Sequence, residues 1–189
     1  MDDFIELLPK ERWTGYSLPM HYTADSYTDV RVERDEADFT VTFRKRPLDA
    51  PVEHRPDEEY DCPDKLYAAH WEDAEAWGVV RDGKLKAAIE ICPETWSNRL
   101  RVTELWVTEE LRGQGVGRAL MDLAKERARR DRRRAVILET QSCNSNALGF
   151  YLHQGFTLIG FDACCYTNDD LTRREVRMEL GWFPEKESP

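Results

Sequence analysis

Alternating apolar and polar positions predict strands in the first half of the chain. Apolar side chains alternate with polar ones over 30–32 and again over 39–43, and the polar run 35–38 between them predicts a turn. An N-terminal hairpin is therefore expected. Residues 1–27 mix aromatic and polar side chains without a clear period, so only local structure is expected there.

Prolines interrupt the next stretch of the chain. They occupy positions 47, 51, 56 and 63, and they predict a long loop from Arg46 to Pro63 because proline lacks the backbone donor that helices and ladders need. A short helix that ends before Trp77 is then predicted from the spacing of Leu66, Ala69 and Ala74.

Three consecutive strands are predicted after Trp77. Residues 77–81 and 84–91 flank an Asp82-Gly83 turn, which predicts a β-hairpin whose second strand ends at Pro93. A third strand, Leu100–Val107, follows Trp96-Ser-Asn-Arg. Glycines at 113, 115 and 117 then open an amphipathic helix, in which one face is shared by Leu120, Leu123 and Ala124.

A strand, a helix and two more strands complete the pattern. Residues 135–140 are apolar and β-branched, and the following helix ends at Gly155. Residues 156–165 and the alternating apolar positions at 176, 178 and 180 predict the last strands. The order strand, helix, strand, helix implies a central parallel pair. The predicted fold class is α/β (α+β), with a mixed, mainly antiparallel sheet, one parallel strand pair and flanking helices.

Length and composition indicate one domain. The 189 residues would comprise N-terminal strands and a loop over 1–95 and a ligand-binding core over 96–181. The chain is 41% hydrophobic, and no apolar run approaches the ~20 residues of a membrane-spanning helix. The acidic N-terminus lacks the basic and apolar regions of a secretory signal. We expect a cytoplasmic protein.

Charge narrows the choice of partners. The net charge of −10 argues against nucleic acid and is more compatible with a cationic partner. Residues 53–75 hold nine acidic and two basic residues, which either face a cationic substrate or solvate a loop and helix. Residues 125–134 hold seven basic residues, which either form a solvated helix end or contact an anionic cofactor tail.

The cysteines do not indicate a metal site. They occupy positions 62, 92, 143, 164 and 165, without a C-x-x-C pair or a zinc spacing. Reduced, mostly buried thiols and no bound metal are expected. A catalytic role for Cys143 would require a positioned base, and the sequence assigns none.

The glycine-rich turn after Val107 is the best candidate for ligand binding. Glycines let backbone N–H groups and a helix N-terminus approach an anion closely. A P-loop would need a lysine and a hydroxyl residue after Gly117, where Arg118 and Ala119 stand. A Rossmann fingerprint fails because the glycines recur at every second position. An exposed helix start with three glycines by chance is the simpler alternative.

The motif Arg112-Gly-Gln-Gly115-Val-Gly117 resembles the pyrophosphate-binding loop of the GNAT N-acetyltransferases, whose pattern is Arg or Gln, two residues, Gly, one residue, and Gly or Ala. The residues Asn144, Ala147, Phe150-Tyr151 and Gly155-Phe156 resemble a second signature of the same family. Over 96–166 the chain is more narrowly similar to streptothricin acetyltransferases, through Trp96, Asn98, Leu138-Glu-Thr-Gln141, Gly160-Phe-Asp162 and Tyr166.

Two stretches depart from the streptothricin acetyltransferase pattern. Those enzymes tend to carry a strand of the Asp-Ile-Ala-Val kind where this chain has Glu104-Leu-Trp-Val107, so Trp106 is expected to reshape the acceptor pocket. The end of the chain, from Glu175 to Gly181, differs from their tail as well. The resemblance therefore supports N-acetyltransfer more strongly than any particular antibiotic.

The resemblance implies acetyl-CoA as the cosubstrate, with no metal. Its pantetheine arm would pair like an extra strand with Leu105–Val107, and the glycine turn would hold the pyrophosphate mainly through main-chain donors. Asn144 either bonds the pantetheine arm or only caps its helix. The cofactor-binding residues so implied are Leu105, Trp106, Val107, Arg112, Gly113, Gln114, Gly115, Val116, Gly117, Arg118, Asn144, Ala147 and Tyr151.

The catalytic residues implied by the resemblance are Tyr151 and Glu104. Tyr151 would protonate the departing thiolate, unless it is only an aromatic packed beside Phe150. Glu104 would bind the acceptor ammonium or remove its proton, unless it is a structural carboxylate. The N–H of Leu105 would stabilise the oxyanion. Acceptor contacts are expected from Trp96, Glu104, Asp162 and Tyr166.

The implied reaction is direct acetyl transfer to a primary amine in a ternary complex. The acceptor would be a small cationic molecule, such as streptothricin, an aminoglycoside or a lysine-like amine, which suggests antibiotic resistance. Acetylation of a protein or peptide is one alternative, and a non-catalytic acetyl-CoA sensor module is another. No nucleic acid or membrane partner is expected, and a homodimer stays open.

Overall fold

The computed structural model describes residues 5–59 and 64–185, which divide into two compact units. The first unit takes its residues from 1–20, 56–138 and 181–189, and the second comprises 21–55 and 139–180. Cys62, Pro63 and two more positions of the predicted loop and acidic segment lie outside the described residues, as do the first four residues of the acidic N-terminus.

Strands make up most of the regular structure in the described ranges. They are β1 (Glu6–Leu8), β2 (Tyr22–Asp35), β3 (Asp38–His54), β4 (Glu75–Arg81), β5 (Lys84–Glu94), β6 (Arg99–Val107), β7 (Ala135–Gln141), β8 (Thr157–Asp162) and β9 (Arg177–Trp182). The helices are α1 (Lys10–Trp13), α2 (Pro56–Glu59), α3 (Val116–Arg130), α4 (Ser145–His153) and α5 (Asp170–Arg173). Short 3₁₀ turns cover Thr95–Ser97 and Glu109–Leu111.

The first unit contains strands in the order β1-β4-β5-β6-β7. The first three pairings are antiparallel, whereas β6 and β7 pair in parallel over Arg99–Arg101 and Ala135–Ile137. Buried apolar residues of α1, β1 and β4–β6 form its core, among them Leu8, Trp13, Ala76, Leu85 and Trp106. The predicted hairpin, the strand ending at Val107 and the parallel pair are therefore confirmed.

The second unit contains the β2–β3 ribbon, the helices α4 and α5, and strand β8 beside β9. The ribbon turns between Asp35 and Asp38, as predicted, and Glu36 adopts a φ of 50° there. Strand β7 supplies residues to both units. The mixed, mainly antiparallel sheet with one parallel pair and flanking helices confirms the predicted fold class.

The predicted loop over 46–63 is wrong for most of its length. Strand β3 continues to His54 and α2 begins at Pro56. The register passes from Ala24 opposite Val52 to Ser26 opposite Pro47, so residues 48–51 bulge out of the ladder. Proline is tolerated in edge strands and at bulges, and both strands of a two-stranded ribbon are edges.

The predicted helix over 66–74 is also wrong. Leu66 accepts a bond from Gly15 N–H at 2.9 Å and donates its own N–H to Tyr16 C=O at 3.0 Å, so it lies in an irregular connection. Tyr67 follows with a left-handed φ of 56°, which a right-handed helix cannot include. Tertiary bonds thus override the weak helical spacing.

Several predicted ends need correction. Strand β5 continues past Pro93 to Glu94, because Pro93 still pairs with Leu100. Strand β8 stops at Asp162 and does not reach Cys165, since the Asp162 carboxylate accepts the N–H of Cys164 at 2.9 Å and turns the chain. The short elements β1, α1 and α5 were too brief to leave a period in the sequence.

The basic segment 125–134 spans the C-terminal end of α3, and several of its side chains contact other residues. Arg127 donates to both carboxylate oxygens of Glu75, at 2.5 and 2.7 Å, and to Asp131 at 2.6 Å. The cationic groups of Lys125 and Arg129 lie 5.6 and 4.9 Å from the ring centre of Trp182. Lys125 is only 7% exposed, so this helix end is not fully solvated as predicted; contact with a cofactor tail stays a prediction. No helix in the described ranges is both long and apolar enough to cross a membrane.

Candidate active site

The glycine turn is anchored by the residues around it. Leu111 is 2% exposed and fixes the turn to the core, while Lys86 of β5 pairs with Glu110 at 2.7 Å. Arg112 donates to the Val107 carbonyl at 3.2 Å, and Gln114 donates to the Glu110 carbonyl at 2.6 Å. The two polar side chains of the motif thus support the shape of the turn.

Two glycines give the turn its backbone conformation. Gly113 and Gly115 have φ of 73° and 84°, the left-handed region that side chains other than glycine rarely adopt. Gly115 is the N-cap of α3 and offers no side-chain cap. The first helical bond runs from Ala119 N–H to Gly115 C=O at 3.0 Å. The N–H groups of residues 116–118 therefore precede the hydrogen-bonded helix and suit an anion.

Strand β6 leads into this turn. It pairs with β5 up to Val107, and with β7 over Arg99–Arg101. Within the described ranges, the main chain of Leu105–Val107 thus lies beyond the observed β7 pairing. The Trp106 side chain is only 7% exposed and donates its indole N–H to Pro19 C=O at 2.9 Å. Its ring belongs to the core of the first unit, and an influence on the acceptor pocket stays a prediction.

The candidate base Glu104 is half-buried on β6, directly opposite Glu90 of β5. The register shifts beside this pair, because the next partners are Ile91 and Val102 and Thr103 is left as an extra residue. Such a bulge changes the direction in which neighbouring side chains point. Glu104 and the oxyanion candidate Leu105 therefore follow an irregular point of the strand.

Helix α4 carries the second predicted signature. Its N-cap Asn144 accepts the N–H of Ala147 at 3.1 Å, so the capping interpretation of Asn144 is confirmed and a pantetheine contact stays a prediction. Tyr151 is 8% exposed. Its ring centre lies 5.4 Å from that of Phe150 and 6.0 Å from that of Phe156. Tyr151 is thus held in a well-defined aromatic cluster.

The other candidate acceptor-binding residues differ in their exposure and in their contacts. Trp96 is 83% exposed and carries the Arg99 guanidinium 5.4 Å from its ring centre. Asp162 is exposed at the end of β8 and bonded to Cys164 N–H. Tyr166 is half-buried and donates its N–H to Asp170 at 3.0 Å. Trp96 lies in the first unit, and Asp162 and Tyr166 lie in the second.

The cysteines of the described ranges are free thiols. Cys92 and Cys143 are buried, as expected, whereas Cys164 and Cys165 are exposed. The Cys143 sulfur lies 3.2 Å from the Tyr22 hydroxyl. Burial raises the pKa of the Cys92 thiol.

Sequence reasoning missed Glu90, the most enclosed carboxylate near the bulge. It is 0% exposed, and its burial raises its pKa although hydrogen bonds from Tyr67 and Thr103 oppose the effect. The available signal was one acid within the apolar run Ala87-Ala-Ile-Glu-Ile-Cys92. A charge at such a position is almost always satisfied by a specific partner.

The sequence is similar to those of known proteins. Residues 40–156 match the model of the acetyltransferase (GNAT) family. A streptothricin acetyltransferase of Escherichia coli is 32% identical over 112 residues, which are 59% of this chain and 64% of that protein. The chain thus spans slightly less than two thirds of this relative. A streptothricin acetyltransferase of Streptomyces lavendulae is 32% identical over 143 residues, or 74% of this chain and 75% of that one.

Solved structures agree with the family match. Nourseothricin acetyltransferase superposes with a TM-score of 0.70 at 27% identity, over 95% of this chain and 96% of that one. A Bacillus anthracis protein, solved in complex with acetyl coenzyme A, has the same fold, with a TM-score of 0.68 at 19% identity over 95% and 98% of the two chains. The resemblance to streptothricin acetyltransferases and the expected class of enzyme are thereby confirmed: the chain belongs to the GNAT family of N-acetyltransferases, which use acetyl-CoA.

Proposed function

We propose that this protein transfers the acetyl group of acetyl-CoA to a primary amine of a small cationic molecule of the streptothricin type. The observation that carries the proposal is the 32% identity to the Streptomyces lavendulae streptothricin acetyltransferase over 143 residues. The match covers three quarters of that relative, and the candidate residues on β6, α3 and α4 supply chemistry that suits the reaction.

The glycine turn is assigned to the pyrophosphate. Main-chain N–H groups at the start of α3, together with the helix dipole, favour a bound anion there. Arg112, Gln114 and Arg118 lie on the exposed side of the same turn and add polar groups. Leu105–Val107 are assigned to the pantetheine arm, because their main chain continues past the observed pairing with β7. Ala147 and Asn144 are also assigned to the pantetheine arm.

Acetyl-CoA supplies an activated thioester carbonyl. The acceptor nitrogen bonds to that carbonyl carbon, the C–S bond breaks, and the acceptor nitrogen loses one proton while the sulfur gains one. The Leu105 N–H is assigned to the developing oxyanion, and the Tyr151 hydroxyl is assigned to proton donation to the sulfur. Glu104 is assigned to the acceptor amine, as its ion-pair partner or as the base that removes its proton.

A cationic acceptor suits the charge of the chain. Its formal net charge of −10 favours approach of a cation over long range. An alkyl ammonium has a pKa of about 10.4, so a nearby carboxylate and partial desolvation are needed to release its nucleophilic free base. Trp96 of the first unit, and Asp162 and Tyr166 of the second, are each retained as candidate contacts of the acceptor.

A cytoplasmic location is part of the same proposal. Cys92, Cys143, Cys164 and Cys165 are free thiols. Free thiols are the usual state of cysteine in a reducing compartment. Localisation of a tagged full-length chain by cell fractionation tests this point.

The test of the proposed function is thiol release from acetyl-CoA with a panel of acceptors. The panel contains streptothricin, aminoglycosides, polyamines, lysine and peptides. We expect turnover with small polycationic amines, and apparent KM values that rise with salt because screening weakens the attraction of a cation. Efficient turnover of peptides alone would transfer the assignment to protein acetylation. Acetyl-CoA binding without any turnover would instead indicate a sensor module.

The role of Glu104 is tested by Glu104→Gln, with the exposed α3 variant Glu126→Gln as the matched control. Glu104→Gln should weaken use of the amine and leave acetyl-CoA binding unchanged, while the control retains both. Activity of the wild type should rise with pH as more free amine forms. Equal acceptor kinetics in all three proteins would remove Glu104 from the site.

A further inference from the structure

A fully enclosed carboxylate lies beside the β6 bulge. Glu90 is 0% exposed, and the main-chain N–H of Tyr67 donates to its Oε2 at 2.5 Å. The Thr103 hydroxyl donates to its Oε1 at 2.7 Å. Each oxygen of the carboxylate therefore has its own partner, which a buried acid requires.

The partner Tyr67 is itself fixed. Its backbone is left-handed, and its side chain is 6% exposed. The Tyr67 hydroxyl donates to Leu8 C=O of β1 and accepts the N–H of Ala76 of β4 at 2.9 Å. Strands β1 and β4 are thereby tied to the turn that holds Glu90. The Oε2 atom of Glu90 is therefore bonded to a residue that two strands hold in place.

The partner Thr103 is the extra residue of the bulge. Glu90 faces Glu104, while Ile91 faces Val102, so Thr103 has no residue opposite it in β5. The extra residue of a bulge is left unpaired in the ladder, and the strand bends there. The hydrogen bond to Glu90 fixes Thr103 from the neighbouring strand.

Burial of this acid is costly, because an isolated carboxylate loses its hydration. Lys10 and His70 act on it electrostatically, while Tyr67 and Thr103 donate hydrogen bonds to it directly. An apolar side chain at position 90, between the buried Ile89 and Ile91, would avoid this desolvation penalty. The carboxylate is therefore better explained by what its hydrogen bonds hold in place than by a gain in stability.

We propose that Glu90 is a positioning residue, which holds the bulge at Thr103 in one conformation and so sets the course of β6 through Glu104 and Leu105. This inference rests on the proposed function, in which Glu104 meets the amine and the Leu105 N–H meets the oxyanion. Glu90 touches neither reactant in this scheme and acts through Thr103.

The test compares Thr103→Val, which removes the hydroxyl but keeps the shape, with Thr103→Ser, which keeps the hydroxyl. The exposed strand residue Thr157→Val is the matched control. We expect Thr103→Val to lower kcat about 10- to 100-fold, since small misplacements of reacting groups have effects of this size. Thr103→Ser should stay within about threefold of wild type. All three variants should keep the thermal shift given by acetyl-CoA.

A second variant, Glu90→Met, keeps the length of the side chain but removes both acceptor oxygens. Its kcat should fall at least as far as that of Thr103→Val, and adding Thr103→Val to it should lower kcat little further, because the side-chain hydrogen bond between the two positions is already lost. Wild-type kcat in Thr103→Val, or an equal loss in Thr103→Ser, would overturn the positioning role while leaving the acetyltransferase proposal intact. An inactive wild type with every amine of the panel would overturn the proposed function, and this inference with it.

Discussion

The N-termini of helices α3 and α4 are satisfied in opposite ways. Helix α3 begins after Gly115, which has a left-handed backbone and no side-chain cap. Helix α4 begins after Asn144, whose side chain accepts the N–H of Ala147 at 3.1 Å. The first helix start has no side-chain cap for its N–H groups, whereas the second is capped by the Asn144 amide.

This difference separates ligand binding from local stability. A glycine N-cap contributes conformation but no acceptor, so the dipole and N–H groups of α3 favour an external anion. An asparagine N-cap supplies the acceptor itself and stabilises the helix without a ligand. Substitutions at the start of α3 should therefore act on acetyl-CoA binding, and those at the start of α4 should first act on stability. Variants at Gly115 and Asn144 test this contrast, and variants at Tyr151 and Asp131 probe other parts of the same two helices.

The largest effect is expected inside α4, at Tyr151. Tyr151→Phe removes only a hydroxyl from a ring packed by Phe150 and Phe156. If Tyr151 is the general acid, turnover should fall about 10²- to 10⁴-fold, while the thermal shift with acetyl-CoA stays. Single-turnover kinetics measure the chemical step directly. Unchanged turnover in that assay would make Tyr151 a packing residue.

Gly115→Val should abolish stabilisation by acetyl-CoA. A ligand at 100 times its Kd stabilises the native state by about 2.7 kcal/mol, or roughly 5–10 °C for a chain of this size. Valine is strained at the φ of 84° and would displace the N–H groups of α3.

The matched control for Gly115→Val is Gly149→Ala in α4, where an added Cβ meets nothing within 4 Å. Alanine should raise the free energy of unfolding by about 0.5–1 kcal/mol and leave the ligand shift intact. Differential scanning fluorimetry with and without acetyl-CoA measures both variants. A full ligand shift in Gly115→Val would contradict the assignment of the glycine turn.

Asn144→Ala should lower the free energy of unfolding by about 1 kcal/mol, the usual effect of losing an N-cap. Asn144→Ser keeps a capping oxygen and should recover most of this loss in a denaturant titration. The same pair tests the pantetheine contact. If KM for acetyl-CoA rises in both variants, Asn144 binds the pantetheine arm. If KM rises only in the destabilised Asn144→Ala and is normal in Asn144→Ser, Asn144 is only a cap.

The smallest effect is expected at the C-terminal end of α3. Arg127 donates to Asp131 at 2.6 Å and holds the pKa of that carboxyl below its ordinary value. A lowered folded pKa adds stability above the unfolded pKa of about 3.9, and this stability is lost as pH falls through the folded pKa.

Asp131→Asn should therefore lower the free energy of unfolding by about 0.5 kcal/mol at pH 7, and the difference should vanish in acid. Urea titrations at pH 7 and at a series of decreasing pH values below about 3.9 measure the change. A loss that does not shrink as the pH falls would show that the ion pair is not its source.

The sequence predicted the turn and helix starts well because their signals are local. The left-handed positions at 113 and 115 need glycine, and the cap at 144 needs a short polar side chain, so each signal sits where the structure uses it. Strand β6 and the helices after it could be placed for the same reason. The roles assigned to Glu104, Leu105 and Tyr151 came from family resemblance, since periodicity says nothing about chemistry.

The features that the sequence did not predict depend on residues far away along the chain. Leu66 was predicted in a helix but bonds the backbone of Gly15 and Tyr16, which are about fifty residues away. Glu90 attracted no prediction because its partners, Tyr67 and Thr103, lie 23 and 13 positions away on either side. The prolines of β3 predict a break in the sequence, because their tolerance in a strand depends on a bulge and on open edges that only strand pairing creates.

The prolines in and beside the bulge of the β2–β3 ribbon also bear on aggregation. A long two-stranded ribbon presents outer rows of N–H and C=O groups that can recruit strands from other molecules, which is a route to aggregation. Pro47 and Pro51 each remove a donor from β3, and the bulge over 48–51 interrupts its regular edge. The same irregularity that hid this strand in the sequence thus makes it a poor template for intermolecular β-sheet.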